Sequence, residues 1–259
     1  MKAKDIFNYL LSGANKIWET TCDTLICGDE NKDVSRVAVC FKLTASVLDQ
    51  AIEAGADMII THEPTFAVSD KEEDATFHDK RKWKTLKNSG ITVYRFHDHA
   101  HDRPVDYIHE GFIRSLDLNI KKKHPNESLG IARYELSNKI SPRELGKRIK
   151  DQLSVECVRI VGNLDTPIDH VCLGLGSVGF KQIQYLFDPG CDVFVTGEVG
   201  EVKVCEYVRD ACYYGQNKSV ILLGHFSAEF AGMRLLAQEL SEKLIPAVYI
   251  DSGEVYETI

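Results

Sequence analysis

Short apolar runs alternate with stretches of helical periodicity along most of the chain. Residues 37–41 are apolar and rich in β-branched side chains, which predicts a strand. Thr44 can cap the helix that follows, whose apolar residues share one face: Val47, Leu48, Ala51 and Ile52. Residues 58–60 predict a second buried strand. This order of elements predicts a βαβ unit with parallel strands and a right-handed crossover.

The same alternation continues to the end of the chain. We expect a loop at 69–79, a helix ending at Ser89 and a strand at 91–96. The helical spacing of Val105, Ile108, Phe112 and Leu116 then predicts a helix. In the second half, the sequence SPRE at 141–144 is a capping box with proline at the first helical position. Further strands are predicted at about 155–161, 169–174, 191–196, 219–224 and 246–250.

This pattern predicts an α/β fold of two lobes, with mixed or mostly parallel sheets flanked by helices. The charged stretch 121–128, which contains Pro125, is the best candidate for a linker. We therefore place the first lobe at 1–123 and the second at 124–224. We expect the segment from about 225 to 259, with its apolar stripe of Phe230, Met233, Ala237 and Leu240, to pack back on the first lobe.

The composition of the chain argues against several classes of function. Asp and Glu (39) exceed Lys and Arg (31) by 8 in a chain of 259 residues, and this acidic balance argues against non-specific nucleic-acid binding. No apolar run reaches the roughly 18 residues of a membrane span. The first 13 residues predict an amphipathic helix rather than a signal peptide. The eight cysteines form no CxxC pair, so we expect reduced thiols and a cytoplasmic location.

Imidazole and carboxylate groups follow three of the predicted strands. His62 and Glu63 follow the strand at 58–61, and His225 and Glu229 follow the strand at 219–224. The strand at 91–96 is followed by His97, Asp98, His99, His101 and Asp102. Ligand-binding groups of open α/β sheets gather at the carboxyl ends of strands. A single histidine there is usually a surface or capping residue, but three such ends predict a site for zinc, manganese or iron.

A glycine motif offers a competing interpretation. Residues 174–179 match GxGxxG between a predicted strand and a predicted helix, and Glu198 lies nineteen residues after Gly179. This is nearly the dinucleotide fingerprint, and a phosphate-sized anion would fit such a turn. However, a tight turn from strand to helix needs the same glycines, and no complete dinucleotide fold surrounds the motif.

The strand-end motifs resemble the Nif-three-like family of dinuclear-metal hexameric proteins, which are often labelled GTP cyclohydrolase 1 type 2 homologs. The likeness runs in matching order from about residue 20 and rests on three segments: AIEAGADMIITHEPTF, GCDVFVTGEVGE and GHFSAEFAGMRLLAQEL. It implies two α/β lobes, two divalent metal ions (zinc, iron or manganese) and assembly as a toroidal homohexamer. The family's metal ligands match His62, His97, His225 and Glu229.

Two positions differ from the family pattern. Glu63 stands where the family usually has a second histidine. His101 stands where the family has an aspartate, unless the loop is shifted by one residue and Asp102 takes that place. One imidazole is thus exchanged for a carboxylate and one carboxylate for an imidazole, so the number of donors can be retained.

Two hypotheses of function follow. The first is a dinuclear-metal hydrolase acting on a nucleotide or a related cyclic amide or phosphoester. Glu63 would be a ligand or the general base, and His97 or Asp98 could orient a ligand. The remaining ligands would be His62, His101, His225 and Glu229. The second is a non-catalytic metal-binding scaffold or regulatory interaction protein. In either case we expect a homohexamer that binds neither membrane nor nucleic acid.

Overall fold

The computed structural model describes residues 1–124, 130–184 and 190–259. The chain divides into two compact units. The first comprises Met1–Tyr107 and Gly232–Gly253, and the second comprises Ile108–Ala231 and Glu254–Ile259. Among the described helices, none has the length and apolar character needed to cross a membrane.

The elements follow in chain order. The first half contains α1 (Ala3–Ser12), β1 (Leu25–Cys27), β2 (Val37–Cys40), α2 (Ala45–Glu53), β3 (Met58–Thr61), α3 (Phe77–Ser89), β4 (Thr92–Arg95), α4 (Asp98–His101) and α5 (Tyr107–Leu116). The second half contains β5 (Ile120–Lys123), β6 (Ala132–Ile140), α6 (Pro142–Leu153), β7 (Arg159–Gly162), β8 (Ile168–Ser177), α7 (Phe180–Ile183), β9 (Val193–Glu198), α8 (Glu201–Tyr213), β10 (Ser219–Leu222), α9 (His225–Lys243) and β11 (Ala247–Tyr249).

The sheet of the first unit has the strand order β1-β4-β3-β2-β11. Its neighbours are parallel except for β1, which runs antiparallel to β4. Residues from α2 and α3, including Leu48 and Trp83, bury one apolar cluster with the sheet. Helix α1 packs through Phe7, whose ring stacks on Tyr94 of β4 at 4.2 Å. Covered strands explain why β2 and β3 are buried at every position.

The predicted βαβ unit is confirmed. Strands β2 and β3 pair in parallel, and the side chain of Thr44 caps α2 by accepting a hydrogen bond from the Val47 N–H at 3.2 Å. Ile52 differs from the prediction, because it is 41% exposed. The buried face of α2 is therefore narrower than the apolar face predicted from its sequence.

The second unit has a mixed sheet with the order β5-β6-β8-β9-β10-β7. Strands β8, β9 and β10 are parallel, whereas the outer pairs are antiparallel. The predicted capping box begins α6: the Ser141 hydroxyl accepts from the Glu144 N–H, and the Glu144 carboxylate accepts from the Ser141 N–H at 2.9 Å. An α/β fold with mixed sheets flanked by helices is therefore present in both units.

Three expectations need correction or completion. Lys121–Lys123, interpreted as the start of a linker, form β5 because they pair with β6; residues 125–128 of that stretch lie outside the described residues. The glycine motif makes no dinucleotide turn, since β8 runs through Gly174 and Gly176 to Ser177. Strand β6 was missing from the prediction because its outer half is polar.

The cysteine expectation is also corrected. Cys172 on β8 and Cys191 before β9 form a disulfide, which the parallel pairing of these strands permits by bringing their Cα atoms to 6.0 Å. The other cysteines of the described residues are free thiols.

Candidate metal centre

The site in the first unit begins where β3 and β4 end. These strands are parallel, and Thr61 pairs with Arg95, so His62 and Phe96 leave the sheet side by side. The backbone N–H groups of His62 and Glu63 both donate to the Phe41 carbonyl, and Arg95 Nε donates to the His62 carbonyl at 3.1 Å. The backbone that carries His62 is therefore fixed on both sides.

Three imidazole rings meet at this strand edge. His62 stacks on His97 with ring centroids 4.5 Å apart, and His101 meets both rings edge-on at 5.3 and 5.2 Å. Each ring offers a nitrogen within 4.8 Å of those of the other two. We call His62, His97 and His101 the histidine cluster. Three converging imidazole nitrogens form a donor set typical of zinc and related transition metals.

An oxygen acceptor fixes the orientation of each ring in the histidine cluster. The Nδ1 of His62 lies 3.0 Å from the Phe96 carbonyl oxygen. The Nδ1 of His97 lies 3.0 Å from Asp98, and that of His101 lies 3.1 Å from Asp106. Carbonyl and carboxylate oxygens only accept hydrogen bonds, so each Nδ1 carries the proton and each Nε2 carries the lone pair. This is the arrangement in which histidine binds metal.

Burial favours the neutral, ligating form of His97. It lowers the pKa of His97, and the adjacent His62 lowers it further, since two imidazolium ions in contact repel each other. The hydrogen bond from His97 holds the pKa of Asp98 far below its usual range. Neutral imidazole beside an ionised carboxylate is thus the stable state near neutral pH.

The loop that carries His97 is tied to a buried carboxylate, that of Asp23. Asp23 Oδ1 accepts from the backbone N–H groups of His97 at 2.6 Å and Asp98 at 3.0 Å. Its Oδ2 accepts from the N–H of His99 at 2.8 Å and from the His99 ring Nδ1 at 2.7 Å. One side chain thereby satisfies three backbone donors and one ring donor.

Glu63 lies at the edge of the histidine cluster. Its Oε1 is 3.8 Å from His97 Nε2, and its side chain is mostly buried. It also offers an oxygen within 4.8 Å of a ring nitrogen of His62. The turn after β3, held by the backbone bonds to Phe41, thus directs two successive side chains to the same place.

Other groups of this loop have different partners. Asp102 accepts from Asn15 at 2.9 Å and from the Trp18 indole N–H, so His101 and not Asp102 joins the cluster. The Nε2 of His99 accepts from the Trp18 backbone N–H at 3.2 Å. Cys22 lies close to His97 and Asp98, but burial raises the pKa of its thiol to about 12, so it stays protonated.

The second unit holds the late motif at the start of α9. His225 Nε2 lies 3.3 Å from Glu229 Oε2, one helical turn away, and His225 Nδ1 lies 3.1 Å from Glu198 Oε1 at the end of β9. Glu229 is almost fully buried, whereas Glu198 is half exposed. The imidazole is therefore held between two carboxylates.

The glycine motif shapes this group. Gly176 has φ of +94°, and a Cβ at this position would lie 2.4 Å from Glu229 Oε1 and 3.1 Å from His225 Nε2. A larger residue would be strained and would displace both side chains. The function of Gly176 in the described structure is thus close approach to the His225–Glu229 pair.

A cavity of about 480 Å³ adjoins Glu198 within the second unit. Its lining carries the carboxylates of Glu156, Glu198, Glu201 and Glu254, with Arg159 as the basic member. This volume falls in the range of small-molecule sites. The acidic lining disfavours an anionic group unless a cation accompanies it.

These features define an α/β protein with imidazole and carboxylate clusters at the ends of its strands. The Duf34/NIF3 (NGG1p interacting factor 3) family model matches residues 1–252, so the chain belongs to this family. The family resemblance of the motifs is thereby confirmed.

Similar proteins agree with this assignment. The chain is 29% identical over 257 residues to a Clostridium acetobutylicum protein named GTP cyclohydrolase 1 type 2 homolog, covering 94% of this chain and 91% of that protein. The solved structure of protein ybgI, described as of unknown function, has a TM-score of 0.80 at 22% identity and covers 99% of this chain and 100% of that one. A Bacillus cereus protein related to NIF3 has a TM-score of 0.75 at 18% identity, covering 100% and 99%. The structural likenesses confirm the fold.

The residues that position the candidate histidines carry no local signal of that role in the sequence. Asp23 and Asp106 had no strand-end position to mark them, and the roles of Glu198 and Gly176 were left open. Asp106 lies five residues after His101, which brings it to Nδ1 of that ring. The useful signal would have been a carboxylate near every candidate histidine.

The Asp23 carboxylate gives a stability prediction. Asp23→Asn places an amide N–H₂ among backbone donors and removes the charge, so the free energy of unfolding should fall by about 2–3 kcal/mol. Urea denaturation measures this change in the free energy of unfolding. The exposed Asp49→Asn serves as the control and should stay within about 0.5 kcal/mol of the parent protein. Equal stability of the two variants would contradict the anchoring role of Asp23.

Proposed function

We propose that the protein is a metal-dependent hydrolase acting on a nucleotide or a related cyclic amide or phosphoester. The observation that carries this proposal is the histidine cluster, in which three rings have Nδ1 fixed by an oxygen and a ligand nitrogen within 4.8 Å of the others. Histidines on a protein surface rarely form such a cluster. Burying their polar ring nitrogens and fixing their side-chain rotamers both cost free energy.

The donor set fits a divalent transition metal. Neutral imidazole nitrogens and ionised carboxylates suit zinc, iron and manganese alike. We propose two divalent ions per chain, with His62, Glu63, His97 and His101 as ligands in the first unit and His225 and Glu229 as ligands in the second. Bound there, such ions supply Lewis acidity and lower the pKa of coordinated water towards neutrality. The protein's own part is to hold the ligand rings in one tautomer through Asp98, Asp106 and Glu198.

Glu63 has two candidate roles, ligand or general base. Its mostly buried carboxylate lies beside His97 and follows His62 on a fixed turn. As a base, it would accept a proton from the attacking water and must lie within hydrogen-bond reach of it. As a ligand, it would replace the second histidine usual in the family. We favour the ligand role, because it preserves the number of donors.

The substrate class rests on the relatives and on the cavity. Relatives are named GTP cyclohydrolase 1 type 2 homolog, which supports a nucleotide. The carboxylates of Glu198 and Glu254 in the cavity can accept hydrogen bonds from ring and exocyclic N–H groups of a heterocycle. We therefore expect the base of a nucleotide, more than its phosphates, to contact this lining.

Metal content tests the ligand set. The His225→Ala/Glu229→Ala double variant removes two proposed ligands and should lose at least one of the two bound ions per chain, measured by elemental analysis after dialysis. The exposed His78→Ala should retain the parent content. A double variant that is folded and holds as much metal as the parent would show that these residues are misassigned.

Glu63→Gln separates the two roles of this residue. The variant keeps the size and one oxygen but loses the charge. A ligand role predicts that metal content and turnover fall together. A base role predicts full metal content and a fall of about 100-fold or more in hydrolysis of GTP or bis(p-nitrophenyl) phosphate. Full metal content with full activity would contradict both roles.

The oligomeric state is a separate prediction from the family resemblance. We expect a closed homohexamer, which light scattering coupled to size exclusion will measure directly. A monomer at micromolar concentration would contradict it.

The second candidate function is a metal-bound scaffold or regulatory partner. The family description, NGG1p interacting factor 3, is the observation that favours it. If the metal-loaded protein hydrolyses neither GTP nor the phosphodiester probe, this scaffold function replaces the hydrolase proposal.

A further inference from the structure

A second group of metal-ligating side chains lies on the sheet of the second unit. His124, Glu135 and His170 each offer one ligand atom, and these atoms all lie within 4.8 Å of one another. All three residues are half-buried, so their side chains are supported by neighbours while solvent can reach them. None of them belongs to the strand-end motifs described above.

The strand register explains why these residues meet. Glu135 on β6 pairs directly with His170 on β8. On the other side of β6, Lys122 of β5 pairs with Glu135, and the His124 N–H continues this ladder by donating to the Arg133 carbonyl at 2.9 Å. Residues two apart in a strand share a face, so the three side chains form a row across neighbouring strands.

A carboxylate fixes the tautomer of His170. Its Nδ1 lies 2.8 Å from Asp169 Oδ1 and 3.9 Å from Asp192 Oδ2. Because these oxygens accept, Nδ1 carries the proton and Nε2 carries the lone pair. A carboxylate on the far nitrogen of a ligating histidine is the usual support of a metal-bound imidazole.

The geometry points to a zinc site formed by His124, Glu135 and His170, with Asp169 as the residue that positions His170. Two imidazoles and one carboxylate are a familiar zinc donor set, with the fourth position left to water or another ligand. The site is independent of the proposed hydrolase, since it shares no residue with the histidine cluster or with the His225–Glu229 pair.

Lys121 is the competitor for this site. Its ammonium forms an ion pair with Glu135, and 63% of its side chain is exposed. A pair with such an exposed lysine contributes little, because the ammonium is well solvated and the lysine side chain is flexible. A doubly charged ion with two additional nitrogen ligands should displace the lysine from the carboxylate.

The direct test is zinc stoichiometry and affinity of the full chain, measured by competition with a chromophoric chelator. The His124→Ala/His170→Ala double variant should lose one zinc ion per chain, with affinity at this site reduced by about 100-fold or more. His78→Ala is the matched histidine control and should bind zinc as the parent does. Equal stoichiometry and affinity in the parent and the folded double variant would overturn the proposal.

A second variant works in the opposite direction and does not remove a ligand. Lys121→Ala removes the competitor and should tighten zinc binding at this site by about two- to fivefold. Lys84→Ala, exposed on α3 in the other unit, makes the same change in charge and should have no effect. If the histidine double variant fails to fold, an unchanged affinity in Lys121→Ala overturns the proposal.

The outcome is separable from that of the proposed function. The His225→Ala/Glu229→Ala variant should keep the zinc ion bound by His124 and His170, and the His124→Ala/His170→Ala variant should keep the ions of the proposed hydrolase centre. Loss of the same ion in both double variants would overturn the second site.

Discussion

The carboxylate of Asp23 is the constraint on which the histidine cluster depends. The chain leaving β4 must turn sharply, and its N–H groups at 97, 98 and 99 all point inward. A buried donor without an acceptor costs the full desolvation of that group, so three together would prevent this turn. Asp23 satisfies all three and also binds the His99 ring. The ring of His97 can then rest on His62, and α4 can bring His101 to the same place. Anchoring and ligand placement are thus one interaction.

In the second unit, the position of the His225–Glu229 pair depends on two glycines, which have no side chain. Strands β8 and β9 and the start of α9 approach so closely that Gly176 and Gly197 have no room for a Cβ: one at Gly197 would lie 2.6 Å from the Gly176 carbonyl oxygen and 2.9 Å from the His225 Cα. The close approach lets Glu229 lie buried against the backbone while still reaching His225. The motif that resembled a dinucleotide fingerprint is therefore explained by packing around a histidine–carboxylate pair.

The sequence predicted those elements whose signals are local. The capping residues Thr44 and Ser141, and the apolar strands β2 and β3, depend on neighbours within a few positions, and each was found where expected. Strand β6 has no such local signal, because its outer half is polar and exposed. For the candidate site, the strand-end rule predicted His62, His97 and His101, whose rings lie together in the structure. It could not identify Asp23, whose role depends on a fold contact across more than seventy residues. The disulfide likewise depends on strand pairing that no cysteine spacing reveals.

The histidine at position 101 is matched by a carboxylate behind it. The four residues His62, Glu63, His97 and His101 together offer three imidazoles and one carboxylate. An aspartate at 101 would need donors around it. A histidine there needs an acceptor for its Nδ1–H, because the ring is 4% exposed and water cannot reach that nitrogen. Asp106, itself buried, supplies this acceptor at 3.1 Å. The histidine and Asp106 therefore form one unit: replacing either alone would leave a polar group buried without its partner, so exchange at 101 is tolerated only with a carboxylate in place behind it.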